Sequence, residues 1–281
     1  MKPFNLRLSK LIKSKRSHLC VGLDMNPEAM GSSNTTLDEL KKHSLKVIDA
    51  TSDLASAFKP NLAFFERWGS EGFKWLEELM DYFPDDLIII GDAKRGDIGN
   101  TAKQYAYSLF THFDFDAVTL SPYMGKDSIT PFIDNPEKGA FILCRTSNPS
   151  AVDLQNQQIN IESSDQTVQR IDEIPNEMLF DKTAQLCVEW NKNNNVGIVV
   201  GATAPQEISR IRSHAPSLPF LIPGIGAQGG DLTQSMLDGN KNGDALINIS
   251  RGISFSGDLS SKAIRNAAKD YLSQMREIID I

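Results

Sequence analysis

Short, uninterrupted apolar runs recur along this chain, separated by longer stretches in which apolar residues return at helical spacing. The runs are Leu19-Cys20-Val21-Gly22-Leu23, Ala57-Phe58, Leu87 to Ile90, Ala117-Val118-Thr119-Leu120, Phe141-Ile142-Leu143-Cys144, Val196 to Val200, Phe220-Leu221-Ile222 and Ala245-Leu246-Ile247-Asn248-Ile249. Most show no polar alternation, as expected of strands covered on both faces in a parallel sheet. The segments between them, such as Leu37 to Leu54 and Gly72 to Tyr82, carry helix-period patterns. Strands alternating with helices imply βαβ units. Eight such units in 281 residues predict an α/β fold of the (β/α)8 TIM-barrel class, with a doubly wound open sheet as second choice.

One gap breaks the rhythm. The stretch from Phe141 to Val196 is too long for a single helix, and its middle, Asn148 to Glu177, is polar and rich in Gln, Asn and Ser. The pattern predicts a long excursion after the fifth strand, over about 148–180, mobile or partly ordered, with a helix from Lys182 to Trp190 leading into the sixth strand. With no internal repeat and no linker, residues 1–281 read as a single domain.

Composition narrows the function classes. Hydrophobic residues make up 40% of the chain, ample for a core, and 29 basic residues against 36 acidic ones give a net charge of −7. That balance weighs against a nucleic-acid surface but leaves room for a local phosphate pocket. Cys20, Cys144 and Cys187 are odd in number and widely spaced, which suggests reduced thiols rather than disulfides or a zinc site. Met1 to His18 is basic and has no apolar stretch of signal-peptide length, and no segment approaches the ~20 apolar residues of a membrane span. The expectation is a cytoplasmic protein with no membrane partner.

The chemistry gathers where the strands end. The richest string, Gly91-Asp92-Ala93-Lys94-Arg95-Gly96-Asp97-Ile98-Gly99-Asn100-Thr101, follows the Leu87 to Ile90 run. Asp92 and Lys94 are two apart, so on an extended chain they project to one face. Charges crowded where water is scarce shift one another's pKa, as catalytic acids require. Other strand ends carry Asp24, Lys59-Pro60-Asn61, Arg145-Thr146-Ser147-Asn148, Pro223 to Gly230, and Ser250-Arg251-Gly252. In a barrel these ends share one mouth, where active sites form.

The Gly224 to Gly230 loop suits an anion, because its glycines let backbone N–H groups approach closely, and Arg251 adds a bidentate phosphate donor. The loop also fits G-x-G-x-x-G, but it lies near the C-terminus, and Asp244 falls at the start of the next strand rather than its end, so a dinucleotide site is disfavoured. His18, His43, His112 and His214 are scattered away from the strand ends, against a His-based metal site or a Ser-His-Asp triad. Lys59 could form a Schiff base, but nearby Asp92 and Asp97 favour a charged lysine.

The blocks Asp92-Ala93-Lys94-Arg95-Gly96-Asp97-Ile98 with Thr101, Gly22-Leu23-Asp24, Phe58-Lys59-Pro60-Asn61, Pro223 to Gly230 and Ser250-Arg251 stand in the order of the orotidine 5′-phosphate decarboxylase family, which the chain resembles over nearly its whole length. The Asp92 to Thr101 wording and the segment after strand 5 are similar to the longer bacterial subgroup. The resemblance implies conversion of orotidine 5′-monophosphate to UMP and CO2 in pyrimidine synthesis, without metal or organic cofactor, by a homodimer with shared sites. It implies Lys94 as the proton donor to C6, Asp92 as its holder, and Lys59 and the other subunit's Asp97 as the rest of an alternating charge array. It further implies Asp24 and Lys59 on the ribose, Ile98 among substrate-binding positions, Thr101 reaching with Asp97 into the neighbouring subunit's site to bind substrate there, Ser147 on the pyrimidine, Pro223 along the base, and Gln228 and Arg251 on the phosphate. No site residue carries over into Asn148 to Glu177. The competing expectations are a Mg2+-dependent 3-keto-gulonate 6-phosphate decarboxylase with the same D-x-K-x-x-D pattern, and a non-catalytic phosphoribosyl-ligand binder.

Overall fold

The computed structural model describes residues 2–32, 34–159, 177–203, 205–226 and 229–279. A helix opens the chain, α1 (Phe4–Lys15), followed by β1 (Leu19–Leu23), α2 (Leu37–Thr51), β2 (Ala57–Pro60), α3 (Ala63–Glu66), α4 (Gly69–Met80) and β3 (Ile88–Arg95). Then come α5 (Gly99–Tyr107), β4 (Ala117–Leu120), α6 (Lys126–Ile133), β5 (Gly139–Arg145), α7 (Leu179–Trp190), β6 (Val196–Val200) and α8 (Pro205–His214). The chain ends with β7 (Phe220–Pro223), α9 (Leu232–Gly239), β8 (Ala245–Ile249), α10 (Arg251–Ser254) and α11 (Ser261–Ile278). The described strands form a closed, all-parallel barrel in the order β1 to β8, with β8 paired back onto β1. The expected (β/α)8 class is therefore the observed one, and the open sheet is excluded by the closing β1–β8 pair.

Two apolar layers sort by strand parity. Outward residues such as Val21, Phe58, Val118, Ile142, Ile198 and Ile222 pack under the helices. Inward residues Cys20, Ala57, Ile88, Ile90, Ala117, Phe141, Val199, Leu221 and Leu246 fill the barrel together with Phe4, Leu8 and Ile12 of α1. The N-terminal helix thus plugs the bottom of the barrel. Phe4 is fully buried, and its ring meets Phe141 edge-on at 5.9 Å. Gly139 makes room for it, since a Cβ there would lie 2.4 Å from the Phe4 ring.

Several boundaries differ from the sequence reading. The helix read from Leu37 to Leu54 ends at Thr51, and its start is set by a capping box between Thr36 and Glu39. The helix before β6 begins at Leu179 rather than Lys182, because the Asp181 side chain accepts the Met178 N–H and so caps the first turn. The excursion after β5 is ordered at both described ends. A 3-10 turn covers Pro149–Asp153, and residues 157–159 pair with 177–179 through backbone hydrogen bonds. The middle of the expected 148–180 excursion, 160–176, lies outside the described residues. No helix among the described residues is long and apolar enough to cross a membrane.

Candidate active site

A polar cavity of about 510 Å³ opens at the C-terminal ends of the strands. It stands on the apolar filling of the barrel, because on five strands the inward positions further along turn polar: Asp24 after β1, Lys59 on β2, Asp92 and Lys94 on β3, Thr119 on β4 and Asn248 on β8, while Leu143, Val199 and Leu221 keep the β5 to β7 side apolar. Thr146, Ser147, Asn148 and Gln155 form another wall, and Pro223, Gly224, Ile225, Ser250 and Arg251 complete the rim.

Asp92 is the hub. Its Oδ2 accepts from Lys59 Nζ at 2.6 Å, and its Oδ1 accepts from Lys94 Nζ at 2.5 Å and from Thr119 Oγ1 at 2.9 Å. Burial alone would raise the Asp92 pKa, but the two ammonium groups outweigh it and hold the carboxyl well below the usual carboxylate range. Burial likewise opposes a charged Lys59, yet the carboxylates of Asp92 and Asp24 raise its pKa above the ordinary lysine value. Both shifts favour the ionised forms, which disfavours Lys59 as a Schiff-base amine. Asp24 Oδ1 is buried without a hydrogen-bond partner, an acceptor in the cavity wall suited to a ligand hydroxyl.

The Asp92–Lys94 pairing arises differently from the expected extended spacing. The strand does not end with the apolar run at Ile90; β3 continues through Arg95. The pairing of β3 with β4 is irregular between Gly91 and Arg95, and Lys94 has φ +48°. A left-handed conformation costs a non-glycine residue about 1–2 kcal/mol. A bulge therefore turns Lys94 Nζ back to Asp92.

The glycine loop after β7 folds on itself, with the Gly230 N–H donating to the Gly224 carbonyl at 3.0 Å and the Gly229 N–H to that of Gly226 at 2.9 Å. Gly224, Gly226 and Gly229 have φ of 106°, 79° and 75°, values that a side chain would strain. Gln228 lies outside the described residues. Ser147 sits against Gly201, where a Cβ would lie 2.7 Å from the Ser147 nitrogen, and its carbonyl accepts from Thr203 Oγ1 at 3.3 Å.

Several residues lie outside this chain's own cavity. Asp97, Ile98 and Thr101 are absent from the cavity wall of this chain. They sit on the segment from β3 into α5, where Ile98 is 50% exposed. Arg145 turns away to pair with Glu207, its Nε 2.5 Å from Oε2. His18 and His43 are buried and bond backbone carbonyls, so neither is in the site. All three cysteines are buried free thiols. Among the described residues no three His, Cys, Asp or Glu side chains are grouped to hold a metal ion.

The sequence reading missed Thr119 and Gln155. Thr119 falls within an apolar run, and its parity with Ala117 marks it as inward-facing. Gln155 lies in the excursion, yet its Oε1 accepts the Thr146 N–H at 2.8 Å and its Nε2 donates to Thr146 Oγ1 at 2.9 Å. A second cleft of about 560 Å³ lies near the N-terminal ends of β3 and β4, where Arg7 pairs with Asp116, His112 with Glu77 and Lys138 with Asp114.

The family model described as orotidine 5′-phosphate decarboxylase / HUMPS family matches residues 17–265, from before β1 into α11. The chain belongs to this family. It is 42% identical over 278 residues to an orotidine 5′-phosphate decarboxylase of Dehalococcoides mccartyi, with 97% of each chain covered. It is 44% identical over 263 residues to the Delftia acidovorans enzyme of the same name, covering 90% of each. Among solved structures it is similar to Leishmania donovani OMP decarboxylase, with a TM-score of 0.82, 38% identity and 98% of both chains covered. It is also similar to Leishmania donovani UMP synthase, with a TM-score of 0.83 and 39% identity, where it spans 57% of that longer protein and 99% of itself is matched. The family's fold and the barrel described above agree along the whole matched region.

Proposed function

We propose that this chain decarboxylates orotidine 5′-monophosphate to UMP and CO2, with Lys94 as the proton donor and no cofactor. The observation that carries the reading is the row Lys59–Asp92–Lys94, an anion held between two cations at the floor of a polar cavity. Loss of CO2 leaves electron density on C6. An ammonium group already fixed beside that carbon stabilises the developing charge and then delivers the proton. Asp92 serves by remaining an anion: its low pKa keeps it from taking the Lys94 proton.

The remaining roles follow the same order. Asp24, with its unpartnered oxygen, and Lys59 take ribose hydroxyls. Ser147 meets the pyrimidine edge, and Pro223 lines the base. Arg251, on the rim beside the glycine loop, takes the phosphate together with Gln228. Binding energy from that remote, unreactive group is then available to close the loop and lower the barrier. Asp97, Ile98 and Thr101 act across a dimer interface. Their place outside this chain's own cavity, on an exposed segment next to it, is what that role requires. Asp97 of the second subunit extends the row to Lys-Asp-Lys-Asp.

The test is to follow loss of orotidine 5′-monophosphate absorbance with and without EDTA. Full turnover in chelator supports this reading and excludes the Mg2+-dependent 3-keto-gulonate 6-phosphate chemistry. Absence of turnover in both conditions overturns it.

A further inference from the structure

The bulge in β3 sets three residues opposite one. Gly91 pairs with Val118 and Arg95 with Leu120, so Asp92, Ala93 and Lys94 all face Thr119. Two extra residues interrupt the backbone ladder, and bulges of this kind re-aim side chains beside active sites. Here a side chain replaces the missing rung. Thr119 Oγ1 accepts the Lys94 N–H at 3.0 Å and donates its own proton to Asp92 Oδ1 at 2.9 Å. The directions are forced, since an amide N–H only donates and a carboxylate only accepts. Thr119 is 2% exposed, whereas the Lys94 side chain is 51% exposed. Packing therefore does not hold the lysine. Its left-handed backbone and its bond to Asp92 do, and the Thr119 hydroxyl supports both.

We propose that Thr119 is a positioning residue for the decarboxylation, whose hydroxyl locks the β3 bulge so that Lys94 Nζ is aimed before substrate arrives. This rests on the reading of Lys94 as proton donor. Without the hydroxyl, the Lys94 N–H loses its acceptor and Asp92 Oδ1 loses one of its two donors. The bulge is then free to shift toward a regular ladder, which carries Nζ away from its working place. Valine matches the shape of threonine and makes neither bond, while serine makes both.

The experiment compares Thr119→Val and Thr119→Ser in the full chain. Thr119→Val lowers kcat by ~10–100-fold, the scale of a misplacement near 1 Å, with KM changed less than about threefold. Thr119→Ser stays within about threefold of the parent in both constants. If Thr119→Val does not fold, Thr119→Ala carries the same expectations. Unchanged kcat in the valine variant, or an equal loss in the serine variant, overturns the proposal. Crystal structures of the parent and of Thr119→Val test the geometry without turnover. The proposal expects the variant's Lys94 to leave the left-handed region or Nζ to leave hydrogen-bond reach of Asp92, and an unchanged bulge overturns it. A parent enzyme inactive on orotidine 5′-monophosphate sinks the decarboxylase reading instead, and the crystallographic comparison still decides the bulge.

Discussion

Lys94 Nζ lies 2.5 Å from Asp92 Oδ1, two residues away in the same strand, although the Asp92 side chain is 9% exposed and that of Lys94 51%. The pair joins a buried anion to a cation that faces the cavity. The buried side of the balance is completed by Lys59, whose side chain is 5% exposed.

That asymmetry separates catalysis from stability. Lys94→Ala reduces decarboxylation below a few per cent of the parent rate while leaving the thermal midpoint nearly unchanged, because Lys59 still neutralises Asp92. Asp92→Ala strands a buried ammonium and costs about 3–5 kcal/mol of stability as well. Denaturant unfolding of the two variants checks the contrast, and equal stability losses contradict it.

Arg251→Ala weakens substrate binding by ~2–3 kcal/mol, the range of a charged hydrogen bond, and KM rises accordingly. Steady-state kinetics decide this, and an unchanged KM removes Arg251 from the phosphate site.

Asp97→Ala inactivates the enzyme although Asp97 lies outside this chain's cavity. Mixing it with Lys94→Ala, after subunit exchange, restores about a quarter of the parent activity, because each mixed two-fold dimer holds one intact site. Two variants that stay inactive after proven exchange place Asp97 in the same subunit's site or in none. Full activity at dilutions where sedimentation finds only monomer rejects the shared site outright.

Acid destabilises the fold through histidines remote from the chemistry. Burial lowers the proton affinity of His18 and His43, which bond the Ala245 and Ser254 carbonyls. Below their ordinary pKa of about 6.5 the unfolded chain binds more protons than the folded one, so stability falls as pH drops from about 7 to 5. Replacing His43 by Gln makes the melting temperature less sensitive to pH over that range. A variant with the parent's slope assigns the effect to other groups.

The sequence disclosed the barrel because strand parity and helix period are local signals. Runs such as Phe141 to Cys144 needed no tertiary information to be read as buried strands. The acids and bases at the strand ends were legible for the same reason: in a closed parallel barrel, ends become neighbours. The bulge was not legible, since Asp92-Ala93-Lys94 has the spacing of plain extended chain, and only the register against β4 shows three residues meeting Thr119. The α1 plug is present as Phe4, Leu8 and Ile12 at intervals of four, but Lys10, Lys13, Lys15 and Arg16 make the segment basic overall and mask that apolar stripe. Gln155 was hidden because its role depends on a polar segment doubling back to Thr146.

The seal that Phe4, Leu8 and Ile12 make with the inner strand residues turns the barrel into a blind alley. Among the described residues the cavity opens where the strands end, so whatever is consumed and whatever is released share that side of the barrel. Gas and nucleotide therefore both leave past the rim that admits the substrate, and neither has a route along the barrel axis past Phe4, Leu8 and Ile12.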